Sequence, residues 1–445
     1  EAQWMKILLA QNASYYPALG GANKSNRILL EALSGKGHEC RVVATALPDN
    51  DLGLNSDRQM EIEIKTVNSE ATIFNCNGVN VHAVKVRAVM DTAKLKEYFI
   101  RQIKEFEPTW VLISTEDAGH VLLEAALKNV PSRVVYLART TIWLPFGPDC
   151  FLEAPSKTEL LRKAAAIIAV GDYVKEYIWK WAKLKADVLP ISLFGEGPFP
   201  QFNNFDTGYV TMINPCAYKG ISIFLALANA FPKIQFAAVP TWGTTTEDIK
   251  ALKAQKNVNI LEPVDDINEL FCKTRVMLVP SLWAEAKSRT IVEAMLRGIP
   301  VLASNVGGNP EAKLGIEYVL PVNPIQGYRL TCDERSLPVS EIPKQDITPW
   351  REALSRLLTE PEHYRDIAER SREAALKYLE NRGGSERVEE YLLNLTAKIE
   401  DSKLEGDGSD LYDRCENIKS QLTPAQRKLL ALRLNQKINK RYPNE

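Results

Sequence analysis

Short apolar runs recur along this chain, and most are followed by a stretch whose apolar positions repeat with helical spacing. MKILLAQ (Met5–Gln11), CRVVAT (Cys40–Thr45), WVLIS (Trp110–Ser114), RVVYLA (Arg133–Ala138) and AIIAV (Ala166–Val170) have few polar interruptions. Such runs predict strands buried on both faces, as in a parallel sheet. Asn23–Lys36, ending at Gly37, predicts a helix. Strand–helix alternation of this kind predicts a doubly wound α/β sheet. Asn50–Val89 is less regular, and VNVHAVKV within it alternates as a hairpin or an edge strand would.

Periodicity lapses at LPISLFGEGPFPQFNNFDTG (Leu189–Gly208), a boundary rich in Pro, Gly and Asn. A second series follows: GYVTMIN, helix 220–231, IQFAAVP, helix 246–255, VNILEP, helix 266–273, RVMLVP, helix 288–297 and PVLAS. Two sheets in one chain leave a cleft between them, and ligands bind at the carboxyl ends of such strands. The chain therefore divides into residues 1–195 and 196–380, with a less regular stretch over Asn323–Pro349 and long helices from Pro349 to Ile399.

The densest chemistry lies in PSLWAEAKSRTIVEAMLRGIPVLASNVGGNPE, Pro280 to Glu311. It places Glu285 in a strand-to-helix loop and Glu293 about a turn into the helix. With Ser288 as N-cap, the helix would point free N–H groups and a positive dipole end at the crevice, a seat for phosphate. The plain alternative is an ordinary βα unit carrying two solvated glutamates.

The segment resembles the donor-site signature of retaining glycosyltransferase family 4. It is carried by Pro280-Ser281, Trp283, Glu285, Glu293-Ala294-Met295, Gly298-Ile299-Pro300-Val301, Ser304, Gly307-Gly308 and Pro310-Glu311. The resemblance implies an α/β GT-B fold, with two Rossmann-like doubly wound domains facing each other across a cleft. Residues 1–195 would form the acceptor side and 196–380 the nucleotide-sugar donor domain. A helix over 381–400, containing SERVEEYLLNLTAKI, would cross back to the first domain.

The same resemblance assigns roles. Glu293 would accept hydrogen bonds from the donor ribose, since a carboxylate can receive two at once. Glu285 would lie beside the transferred sugar, with Ala286, Lys287 and Ser288 facing sugar and diphosphate. Lys219, in Lys219-Gly220, would contact the phosphates, and so would the loop at Gly20-Gly21, just before the first helix. The donor base would sit near Trp242 and Val264. Two departures stand out. Ile213-Asn214-Pro215 replaces a Gly-Arg pair, so Arg289 is either a substitute phosphate cation or an exposed helix arginine. Ala138-Arg139 stands where relatives often carry a histidine. Arg139 suits a phosphate or carboxylate, and His120 either lines the site or lies on a helix face. Glu116 and Asp117 either bind acceptor hydroxyls or cap the following helix. Catalytic roles are thus expected of Glu285, Arg139 and His120.

Composition narrows the alternatives. The 445 residues are 45% hydrophobic and 25% charged with net charge −1, which fits a folded protein whose charge as a whole shows no bias toward nucleic acid or anionic membrane. No apolar run approaches the roughly 18 residues that span a bilayer. Met5 is expected as the natural initiator, with no leader peptide. Seven scattered cysteines without a C-x-x-C pair favour a reducing cytoplasm over a disulfide or zinc framework. The sequence lacks a Gly-x-Gly-x-x-Gly dinucleotide motif, and no D-x-D motif appears where a metal-dependent transferase would need one, so neither a cofactor nor a catalytic metal is expected.

The tail changes sign. Glu400–Glu416 carries seven acidic and two basic residues, and Asn417–Asn444 seven Lys or Arg and no acid. LTPAQRKLLALRLNQKI has Thr423 as N-cap, Pro424 at the first helical position and Gln426 completing a capping box. This basic amphipathic helix would bind a membrane surface or a partner, or pack on its own domain. LTPAQRKLLALRL resembles the helix before nonribosomal peptide synthetase condensation domains, which implies a nonribosomal peptide or polyketide synthase partner and a place in natural-product biosynthesis. The activity expected is transfer of a hexose from a nucleoside-diphosphate sugar to a small-molecule or carrier-bound acceptor. The competing classes are a non-catalytic GT-B scaffold and a phosphorylase or synthase of the same fold.

Overall fold

The computed structural model describes residues 4–18, 20–46, 62–86, 92–189, 194–195, 197–264, 266–335, 337–381, 387–396 and 399. The tail helix expected over 423–438, and the assembly-line partner read from it, lie outside them.

The first sheet holds β1 (Lys6–Ala10), β2 (Glu39–Thr45), β3 (Ile62–Val67), β4 (Ala71–Cys76), β5 (Val79–Val84), β6 (Trp110–Ser114), β7 (Val134–Ala138), β8 (Ala166–Ala169) and β9 (Asp187–Val188). Its order is β3-β4-β5-β2-β1-β6-β7-β8-β9. All pairs are parallel except β3–β4 and β4–β5. Of the two things its pattern allowed, VNVHAVKV is the hairpin and not an edge strand: β5 pairs with β4 antiparallel and with β2 in parallel, which leaves β3 at the edge. Helices α1 (Gly20–Gly35), α2 (Thr92–Phe106), α3 (Val121–Asn129), α4 (Pro155–Arg162) and α5 (Asp172–Ala182) connect the strands. Leu8, Val111, Ile113, Val134 and Tyr136 are essentially water-free and pack with Phe99 and Leu123 from the helices. Apolar burial of this kind, about 1.5–3 kcal/mol per large side chain, supplies the driving force.

The second sheet holds β10 (Tyr209–Ile213), β11 (Phe236–Val239), β12 (Val258–Ile260), β13 (Thr274–Val279), β14 (Val301–Ser304) and β15 (Val319–Leu320). It is wholly parallel, in the order β12-β11-β10-β13-β14-β15. Its helices are α6 (Ile221–Ala230), α7 (Thr246–Ala254), α8 (Asn268–Phe271), α9 (Arg289–Leu296) and α10 (Asn309–Ala312). The irregular stretch after Asn323 contains an antiparallel pair, β16 (Tyr328–Cys332) and β17 (Pro338–Ser340). Then α11 (Thr348–Thr359) and α12 (Pro361–Glu380) cover the sheet, with Trp350 fully buried and the Tyr364 hydroxyl donating to the Arg275 carbonyl at 2.7 Å.

Both sheets lie in one compact unit, Glu1–Glu389. At its end Glu389 accepts from Lys36 Nζ at 2.6 Å and lies 2.9 Å from His38 Nε2, beside the first sheet. Two local readings need correction. The first helix begins at Gly20, not Asn23, so Gly20 and Gly21 are its opening residues. Gly20 itself takes φ +81°, a left-handed conformation that no L-residue takes cheaply. The helix read over 266–273 contracts to the single turn Asn268–Phe271.

Candidate active site

In the second sheet the chain runs outward from β10 to β12, then returns to β13 on the other side of β10. The loops after β10 and β13 therefore splay apart at a switch point and open a crevice above the strand ends. Lys219 ends the first loop and Glu285 lies in the second. They meet: Lys219 Nζ donates to Glu285 Oε1 at 2.5 Å, and Ser281 Oγ donates to the same oxygen at 2.5 Å. Glu285 is 8% exposed. Burial alone would raise its carboxyl pKa. The Lys219 ammonium and the hydrogen bonds from Lys219 and Ser281 outweigh this and hold it below the usual value. Lys219 also stands 4.9 Å from the centre of the Trp283 ring, which stacks on Tyr218.

Glycines shape the loop. The Gly308 N–H donates to the Glu285 carbonyl at 2.6 Å. A Cβ on Gly307 would fall 2.3 Å from the Glu285 carbonyl oxygen, and one on Gly308 2.1 Å from that of Ala286. The pair thus lets two backbones touch and holds Glu285–Ala286 in place. Ser288 occupies the N-cap of α9 with extended backbone, but its side chain makes no capping bond. Glu293 is not solvated: its carboxylate is 16% exposed and accepts from Arg289 Nη2 at 3.1 Å, one turn earlier on α9. Lys287 points elsewhere. Its ammonium donates to Glu311 Oε1 at 2.6 Å and lies 4.9 Å from the Tyr378 ring centre.

The two sheets present their loops to one another. A Cβ on Gly20 would meet Trp242 Nε1 at 3.6 Å, so the turn after β1 faces the loop after β11, while Gly21 has open space around it. Trp242 lies 6.3 Å from Trp283 between ring centres. Its loop is held by Asn214, which takes φ +58° and accepts from the Gly243 N–H at 3.0 Å. Val264 is half-buried in the loop after β12.

Arg139 follows β7 and is 6% exposed. Its Nε donates to Asn26 Oδ1 and its backbone N–H to Thr115 Oγ1, both at 3.1 Å. Asn26 in turn donates to Gln11 at 3.1 Å. Burial pulls Arg139 down to about 10, offset in part by Glu116, whose own carboxyl burial pushes up to about 7. Asp117 caps a helix: its two carboxylate oxygens accept from the N–H groups of Val121 and Leu123 at 3.1 and 2.9 Å. His120 precedes α3 at φ +56°, 3% exposed, stacked on Tyr136 with centroids 6.4 Å apart. Burial lowers its pKa to about 4, so it is neutral near pH 7. The structure thus joins Lys219 with Glu285, Arg289 with Glu293, and Gly20 with Trp242. Arg139 and His120 belong to separate polar contacts under the first sheet's loops.

Residues 205–324 match the glycosyl transferases group 1 family. Sucrose-phosphate synthase from Thermosynechococcus elongatus has a similar structure, with TM-score 0.64 and 16% identity, covering 89% of this chain and 100% of that one. Anabaena HepE in complex with UDP-glucose gives TM-score 0.58 and 16% identity over 88% and 100%. The fold is GT-B. An uncharacterised 42.6 kDa protein in the cps region of Klebsiella pneumoniae is 23% identical over 335 residues, 69% of this chain and 87% of that protein.

Around the GT-B cleft the structure adds Asp149, Tyr173 and Tyr328, which periodicity and motif did not single out. A cavity of about 210 Å³ adjoins the Glu285 loop, lined by Asp149 and Tyr173 from the first-sheet side and by Trp283, Gly307 and Tyr328 from the second. Tyr173 donates its hydroxyl to Asp149 Oδ2 at 2.5 Å. Burial raises the Asp149 carboxyl, and the Tyr173 hydrogen bond opposes it. Phe151 meets Tyr328 edge to face at 6.2 Å. Asn214 was legible only as a departure. Its task of holding the Trp242 loop had no sequence signal, since Gly243 lies 29 residues away. Among the described residues no cluster of His, Cys, Asp and Glu is arranged to hold a metal ion, and no helix is long and apolar enough to cross a membrane.

Proposed function

We propose that this chain is a retaining glycosyltransferase that moves a hexose from a nucleoside-diphosphate sugar to a small-molecule or carrier-bound acceptor. The observation that carries the reading is the Lys219–Glu285 pair at the switch point, fixed by Ser281. A buried carboxylate and a cation at one spot suit a reaction that develops positive charge on the anomeric carbon and negative charge on a diphosphate. Arg289 at the start of α9 and Glu293 one turn further on extend the same pairing toward phosphate and ribose. The anomeric carbon–oxygen bond to the diphosphate breaks, and the acceptor oxygen bonds to the same face of that carbon. The acceptor proton passes to the departing phosphate oxygen, so no protein nucleophile is required. Lys219 and Arg289 take the leaving group's charge, and catalysis proceeds without a metal. The cavity beside Glu285 offers a carboxyl group and aromatic faces, chemistry suited to a polyhydroxylated acceptor.

The experiment is a donor-hydrolysis screen against UDP-, GDP- and ADP-sugars, repeated with chelator, with the anomeric configuration of the released sugar or transfer product read by NMR. Turnover that is insensitive to chelator, gives a retained anomer and is lost on Glu285→Ala is the expected result. Absence of turnover with every donor, or activity unchanged by Glu285→Ala, rejects the enzyme reading in favour of a GT-B scaffold.

A further inference from the structure

The end of α5 and the residues just after it read IWKWAKLK, Ile178–Lys185, with the helix closing at Ala182. Its inward side is ordinary: Val174, Tyr177, Ile178 and Ala182 are buried in the first-sheet core. Its two flanks are not. Trp179 is 52% exposed and Trp181 45%, and Leu152 on a neighbouring loop is 62% exposed. That loop lies against the second indole, since a Cβ on Gly147 would fall 2.9 Å from Trp181 Cγ. Lysines accompany the rings: Lys180 Nζ stands 5.0 Å from the Trp181 centre and Lys183 Nζ 5.6 Å from that of Trp179. Lys185 is exposed as well, and no acid interrupts the run between Glu176 and Asp187.

Two indoles and a leucine left in water cost free energy that a docked state recovers. What covers them is decided by the lysines. Protein–protein interfaces are enriched in Trp but depleted in Lys, so this pairing fits a protein partner poorly. At a bilayer surface the two belong together, because indoles settle at headgroup level while ammonium groups meet anionic lipid phosphates. We propose that Trp179, Lys180, Trp181, Lys183, Lys185 and Leu152 form a docking face for an anionic lipid bilayer. The proposal is independent of the transferase reading. The loop that carries Leu152 also carries Asp149 on the cavity wall, so a docked protein holds that wall near the lipid surface.

The test is co-sedimentation of the full chain with vesicles of phosphatidylcholine alone or with about 30% phosphatidylglycerol, the anionic component supplying the surface potential. Sedimentation only with the anionic vesicles, falling as salt is raised, is expected. Lys180→Gln with Lys183→Gln weakens it about 25-fold, at about fivefold per lysine. Trp179→Ser weakens it about tenfold or more through lost apolar burial. Trp179 is more than half exposed, and neither lysine is part of the buried core, so circular dichroism of both variants should match the parent. No binding to either vesicle, equal binding to both, or full binding by both variants overturns the proposal. The last result assigns the affinity to another surface such as residues 401–445, and capture of a protein partner by this face instead of lipid also rejects it.

Discussion

The carboxylate of Glu311, beside the second sheet, accepts a hydrogen bond at 3.2 Å from the backbone N–H of Tyr173 in the first turn of α5, beside the first sheet. Helix N-termini carry unsatisfied N–H groups and partial positive charge, so a carboxylate is well placed there. A Cβ on Gly171 would lie 2.8 Å from the same carboxylate, which is why the backbone can come this close. Because Lys287 holds the other oxygen, the loop after Glu285 and the first sheet are tied through one side chain.

Glu311→Ala should therefore loosen the cleft while leaving both cores intact. We expect the thermal midpoint to fall modestly and donor kcat/KM to drop about tenfold, since slight misplacement of reacting groups costs that much or more. Steady-state kinetics together with small-angle scattering of the free protein check this. An unchanged scattering profile with unchanged kinetics rejects the tie.

Removing one member of the Lys219–Glu285 pair leaves a charge 10–19% exposed without its partner. Glu285→Gln or Lys219→Met should each cost about 2–3 kcal/mol, somewhat below the cost for fully buried pairs. The double variant should recover part of this loss. Activity should fall about 10²–10³-fold for Glu285→Gln. A double-mutant cycle by urea denaturation measures the coupling. The sign with pH follows from the depressed carboxyl: its stabilisation is present above the ordinary value of 4.5 and is lost as pH falls through the lower folded value.

Gly20 and Gly21 separate in effect. Gly20→Ala forces a Cβ onto φ +81° beside Trp242 and should cost about 1–2 kcal/mol, with weaker donor binding. Gly21→Ala, in open space in the first turn of α1, should be neutral or mildly stabilising. Thermal shifts with and without nucleotide distinguish them.

Asn214→Ala should cost about 2 kcal/mol through its left-handed backbone and the lost bond to Gly243. Asn214→Gly should recover the backbone part only. In both, donor KM should rise more than kcat falls, because the Trp242 loop is what loosens. Equal kinetics for the two variants and the parent would show that the loop needs no such tether.

His120 is kept neutral by burial, with its pKa moved from 6.5 to about 4. The unfolded chain takes up a proton below pH 6.5 that the folded protein refuses, so the His120 contribution to stability declines as pH falls from 6.5 toward 4, against the opposite contribution of Glu116 and Asp117, whose raised folded values let the folded protein take up protons first. His120→Asn, which tolerates the same left-handed backbone, should flatten that part of the profile. Chemical denaturation across the window reads the slope.

The sequence by itself determined the two alternating series, the boundary between them and the position of the glutamates, because strands buried on both faces must be apolar and helices must carry one apolar stripe. The Pro280–Glu311 motif likewise placed Glu285 and Glu293 on a loop and a helix. Only the tertiary structure decided what these groups touch. Lys219 lies 66 residues from Glu285, Arg139 113 from Asn26 and Glu311 138 from Tyr173, and no local pattern records such pairings. Strand order brings the members of each pair together, and strand order follows from packing the whole chain. The same logic chose the helix-cap alternative for Asp117 and paired Glu293, read from the sequence as a ribose acceptor or a solvated charge, with Arg289.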